Sequence, residues 1–106
     1  FFHDPSGVWT GVAQNLRPDV AILAMAGRGN INGEPIQGSL AQFVGKMSEL
    51  MLPPRIVLGH HDHWMPPMTA DMTSEDALRP VREELAAVTP RAELLELGFM
   101  DGTVLF

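Results

Sequence analysis

The chain has 106 residues, a formal net charge of −6, a pI near 5.0 and 45% hydrophobic residues. That length supports one small domain with a modest core, and the composition is that of a folded chain rather than a disordered one. Lys46 is the one lysine and the six arginines are scattered, which excludes nucleic acid as a default partner, and no apolar run approaches the roughly 20 residues of a membrane span.

Without cysteine there is neither a disulfide framework nor a thiolate metal site. No secretory signal is visible, so a cytoplasmic location is the default expectation. The chain opens on Phe1-Phe2 with no initiator methionine. Two aromatic residues in that position read as the interior of a strand. The expectation is a single partial domain over 1–106, completed by a missing N-terminal half or by another polypeptide chain.

In chain order, Phe1 to His3 reads as a strand stub, and Asp4-Pro5-Ser6-Gly7 is turn chemistry. Val8 to Leu16 predicts a short helix, with Trp9, Val12, Ala13 and Leu16 on one face and Pro18-Asp19 ending it. Val20 to Ala26 is a continuous apolar run that suits a strand buried on both faces. Gly27 to Pro35 reads as a glycine-rich loop, but not as a dinucleotide fingerprint, because the third glycine is absent at the required spacing.

The clearest helix follows. Ser39 and Gln42 fit a capping box, and Leu40, Phe43, Val44, Met47, Leu50 and Met51 follow the i, i+3, i+4, i+7 pattern up to Pro53-Pro54. Ile56 to Leu58 predicts a buried strand, and Met65 to Met72 a Met- and Pro-rich loop. Another helix is expected over Ser74 to Val88, with Pro80 in its first turn or separating an initial turn from the rest. Ala92 to Leu97 and Thr103 to Phe106 read as two strands of a hairpin around Met100-Asp101-Gly102. The alternation predicts an α/β layered domain, with parallel neighbours among the first three strands.

Chemistry concentrates after Ile56 to Leu58, where Gly59-His60-His61-Asp62-His63-Trp64 holds three of the four histidines. Imidazoles and carboxylates are common zinc ligands, and strand ends of α/β folds are where ligands and catalytic groups collect. Asp4 follows another strand, so an aspartate and a histidine from parallel strands could meet at one edge. The blander alternatives are a turn-initiating aspartate at Asp4 and a buried hydrogen-bonded histidine at His60. For Arg28, Asn30, His61 and Trp64 the functional reading is substrate contact, and the blander one is an ordinary loop.

Three pieces in order resemble a known family. They are an aromatic strand ending in Asp4 with Ser6 and Gly7 after it, Pro18-Asp19-Val20-Ala21-Ile22-Leu23 running into a glycine-rich loop and long helix, and an apolar strand ending in Gly59-His60-His61-Asp62. Together they are similar to the C-terminal half of the metallo-β-lactamase fold, closest to its lactonase- and phospholipase-like branch. The resemblance implies an αββα sandwich, with a mixed sheet, flanking helices and one or two zinc ions at a sheet edge. It implies Asp4 as a metal-bridging aspartate, His60 as a metal ligand and Asp62 as a catalytic group beyond the ligands themselves. The implied reaction is hydrolysis of a small-molecule ester, lactone or phosphodiester by metal-activated water. The family's principal signature, His-x-His-x-Asp-His, is absent from this sequence. With two metal ligands the chain alone is expected to be inactive. The alternative from another class is a noncatalytic binding or assembly module with a His-rich loop.

Overall fold

The computed structural model describes residues 1–3, 8–24, 30–32, 34–35, 40–59, 75–96 and 102. Four strands, β1 (Phe2–His3), β2 (Val20–Ala24), β5 (Arg55–Gly59) and β6 (Glu93–Leu95), form one sheet in the order β1-β2-β5-β6. Every pairing in it is parallel. Between them lie α1 (Thr10–Ala13), α2 (Leu40–Met51) and α3 (Glu75–Val88), while β3 (Asn30–Ile31) and β4 (Glu34–Pro35) form a separate antiparallel ribbon. The domain is therefore α/β, with the expected parallel neighbours.

Parallel neighbours need crossover connections, and such crossovers are almost always right-handed. Each step along this sheet moves one strand in the same direction, so the connecting helices belong on one face. The burial pattern agrees. Ala21 and Leu23 of β2 and Ile56 and Leu58 of β5 are buried in one cluster with Phe43, Val44, Met47 and Met51 of α2 and with Leu78, Val81 and Leu85 of α3. The opposite face carries an apolar row set by the register, Phe2↔Ile22↔Val57↔Leu95. Val57 is buried, Ile22 and Leu95 are half-buried, and Phe2 is 69% exposed.

Helix α2 follows its predicted stripe, but its buried face is wider, taking in Ala41, Gly45 and Ser48 as well. It lies against the sheet and also packs closely on α3. Ser48 is fully buried and satisfied by Thr89, with 2.6 Å between the two hydroxyl oxygens. At Gly45 the helices approach so closely that an added Cβ would lie 2.7 Å from Glu84 Cγ.

Three expectations are corrected. Helix α1 is four residues long, and only Ala13 of it is buried. Trp9 and Val12 are 64% and 62% exposed, so the anticipated apolar face is not a core face. A glycine at position 11 and the proline at 18 leave little propensity to extend it.

The stretch from Gly27 to Pro35, read as a loop, contains the β3–β4 ribbon. Pro80 lies inside α3, beyond the first turn. An interior proline removes a backbone hydrogen bond, and here one side chain ties the turns across it: Arg82, after the proline, reaches Glu75, before it, at 2.7 Å, while Arg79 pairs with Glu75 and Asp76 within the preceding turn. Of the expected terminal hairpin, β6 pairs in parallel with β5, while Thr103 to Phe106 lie outside the described residues.

The Gly45–Glu84 contact is testable by a double-mutant cycle. Alanine is favoured over glycine inside a helix by about 1 kcal/mol. Gly45→Ala alone should gain none of that, because the Glu84 side chain must move. In a Glu84→Ala background the same change should stabilise by about 1 kcal/mol. Urea unfolding of the four proteins measures the coupling, and equal effects in both backgrounds would remove the contact as a constraint.

Candidate functional site

Because β1, β2 and β5 are parallel neighbours, their C-terminal ends share one edge of the sheet. The register places Ala24 of β2 opposite Gly59 of β5, and His3 of β1 opposite Leu23. The residues that follow these ends in sequence are Asp4 after β1 and His60 after β5. One strand separates β1 from β5, which sets the two exits roughly 10 Å apart at the backbone. The intervening strand ends on a buried alanine and its neighbour on a glycine, so small residues floor this edge.

Asp4, Arg28, His60, His61, Asp62 and Trp64 lie outside the described residues. The structure therefore positions the strand ends that lead into Asp4 and into the His60 segment. Asn30 is placed at the backbone, in β3 opposite Pro35. Among the described residues no group of three or more His, Asp or Glu side chains comes together as a metal site.

One residue that the sequence reading passed over is central here. Asn32 adopts a left-handed backbone, with φ 55°, at the tip of the β3–β4 ribbon. Its Oδ1 accepts the Thr10 backbone N–H at 2.7 Å, and its Nδ2 donates to Thr10 Oγ1 at 2.8 Å. Its own N–H donates to the Val8 carbonyl at 2.9 Å. The residue at the N-cap of α1, Trp9, supplies no side-chain cap. Asn32 supplies one from 22 residues away, satisfying an amide that the helix end leaves unpaired. The glycine-rich segment is thereby tied to the start of α1, the element that follows β1 and its exit. The signal was present in the sequence: Asn32-Gly33 between two short strands is the preferred pair for a two-residue hairpin turn.

Charged side chains gather elsewhere, on the exposed face of α3. Arg82 donates to Glu75 at 2.7 and 2.8 Å and also binds Glu96 beyond β6. The hydrogen bond from Arg82 holds the Glu75 carboxyl below its ordinary range, and the bonds to Glu96 and Glu75 raise the Arg82 guanidinium further. These groups are open to water, so the network helps to fasten α3 to the end of β6 without the character of a catalytic cluster.

Searches of protein-family models, of curated proteins and of solved structures found no match to this chain.

The Asn32 clamp carries a prediction that separates hydrogen bonding from backbone strain. Asn32→Gly keeps the left-handed backbone at no steric cost but loses the clamp, whereas Asn32→Asp keeps the Oδ1 acceptor. Asn32→Gly should destabilise by about 1 kcal/mol, with Asn32→Asp closer to wild type, and amide exchange at Thr10 should quicken in the glycine variant. A glycine variant as stable as wild type would mean that only the backbone conformation matters.

Proposed function

We propose that this chain forms part of a metal-dependent hydrolase of the metallo-β-lactamase type, acting on an ester, lactone or phosphodiester. The observation that carries the reading is the parallel register, which brings the end of β1, leading into Asp4, and the end of β5, leading into His60, to one sheet edge. A carboxylate and an imidazole are suitable donors for zinc, so the chemistry of the pair fits the metal that the resemblance implies. In this proposal Asp4 and His60 hold the metal.

Bound there, zinc would lower the pKa of a water toward neutrality and favour negative charge on the reacting oxygen. Asp62 acts beside the ligands, accepting a hydrogen bond or a proton from a polar group of the substrate. Arg28, Asn30, His61 and Trp64 contact substrate, the guanidinium meeting an anionic or carbonyl oxygen and the indole an apolar part. Further ligands come from the absent His-x-His-x-Asp-His motif, on a missing N-terminal half or another chain. The exposed and half-buried members of the apolar row, Phe2, Ile22 and Leu95, offer that half a face to pack on, as a second sheet would in an αββα sandwich.

The second reading, a noncatalytic assembly module, draws on the exposure of Phe2, Trp9 and Val12. Large exposed apolar side chains favour association.

Zinc titration of the chain, followed by competition with a chromophoric chelator, tests the proposal. Wild type should bind zinc weakly and show no turnover of ester, lactone or phosphodiester substrates alone. His60→Ala should weaken binding by more than the roughly 10–100-fold associated with losing an outer-shell partner. Asp4→Asn should also weaken it, because it removes the negative charge while retaining the turn-forming hydrogen bond. His63→Ala should leave it unchanged. Equal zinc affinity in wild type, His60→Ala and Asp4→Asn would defeat the ligand assignment and favour the assembly module.

A further inference from the structure

At the opposite edge of the sheet, the connections entering β5 and β6 border a groove of about 490 Å³. That volume falls within the roughly 300–1,000 Å³ typical of small-molecule sites. One wall is Leu52, Pro53 and Pro54, which join α2 to β5. The other includes Val88, Pro90 and Arg91, at the passage from α3 to β6. The walls are fastened together by the Glu93 N–H donating to the Pro54 carbonyl at 2.9 Å and by the Ser48–Thr89 hydroxyl pair below. Three prolines stiffen the lining, and none of them offers an N–H. Such a groove is shaped before a ligand arrives, which reduces the ordering cost of binding.

Two observations specify the ligand. Arg91 is the one charged residue of the lining, which contains no acidic residue, and no ion pair engages it among the described residues. In a chain of net charge −6, this places a cation without an ion pair among the described residues beside an apolar floor.

Leu52 supplies the second observation. It stands just past the end of α2 with φ 50°, a left-handed conformation that glycine normally fills at helix ends. Its N–H still closes on the Ser48 carbonyl at 2.8 Å, but its side chain is 59% exposed. Strain of about 1–2 kcal/mol is thus spent on an apolar side chain left facing water at the groove. A ligand covering Leu52 would offset it.

We propose that this groove binds an aliphatic carboxylate of medium chain length. Its carboxylate is held by the Arg91 guanidinium, and its alkyl chain lies over Leu52, Val88, Pro54 and Pro90. Guanidinium is the side chain best matched to a carboxylate, with two parallel hydrogen bonds available. The site is independent of the metal proposal, since it lies at the other end of the strands.

The test is an NMR titration of the intact chain with octanoate, octylammonium and octanol. Octanoate should saturate and shift the amides of Leu52, Val88 and Arg91, with octylammonium at least roughly tenfold weaker, about 1.4 kcal/mol. Arg91→Gln should weaken octanoate by roughly tenfold or more while leaving octanol unaffected. Leu52→Gly should raise the melting temperature of the free chain and weaken octanoate, because it relieves strain and removes apolar surface together. Failure of octanoate to saturate, equal binding of octylammonium, or an Arg91→Gln variant with wild-type affinity would each overturn the proposal.

Discussion

The parallel pairing of Val20–Ala24 with Arg55–Gly59 is the constraint on which the rest of the molecule depends. A parallel pair cannot close through a tight turn, so the chain between these strands must travel the length of the sheet and return. Helix α2 makes most of that return, and it can do so only by burying an apolar face on Ala21, Leu23, Ile56 and Leu58. Once α2 lies there, α3 has a surface to pack against, and β6 follows in the same sense. The two edges of the sheet then acquire different contents. Strand ends leading into Asp4 and His60 collect at one, and helix-to-strand connections at the other.

The same constraint explains the asymmetry of the two faces. Parallel sheets are generally covered on both sides, yet the described helices account for one. The other holds a row of Phe, Ile, Val and Leu at a single register level, most exposed toward the β1 edge, where Phe2 lies. On the hydrolase proposal that row packs against the remaining half of a sandwich. On the assembly proposal it packs against a different chain. Either account needs the same physical fact, that apolar side chains at one level of a sheet gain most when a second layer interdigitates with them.

What the sequence made legible follows from how local each cause is. Strands β2 and β5 announce themselves because burial on both faces produces an unbroken apolar run, and α2 because its buried stripe repeats at helical spacing. In α1, Trp9 and Val12 share a helical spacing with Ala13, and nothing local in the sequence distinguishes which of them meets the core. Pro80 gave an ambiguous signal because its compensation comes from charged side chains before and after it, not from the proline itself. The ribbon was within reach through Asn32-Gly33, whereas the partnership of Asn32 with Thr10 is tertiary and leaves no local mark. For the candidate site, the strand ends were legible from the α/β order, and the structure places those ends together. Asp4, His60, Asp62 and their neighbours are outside the described residues, so their roles rest on chemistry and resemblance.

The two non-glycine residues with positive φ show how strain can be read. Asn32 and Leu52 have nearly the same backbone angle, 55° and 50°. Asparagine tolerates that conformation better than most residues, and here its side chain and backbone make hydrogen bonds that join the ribbon to α1. Its strain is offset within the free chain. Leucine has no polar group to offer, and its exposed side chain recovers little by burial. A glycine in its place would end the helix with less strain, and on the groove proposal a bound ligand supplies the contact that offsets it. The groove beside it, with stiff apolar walls and Arg91 as the one charged residue of its lining, is where such a contact would form.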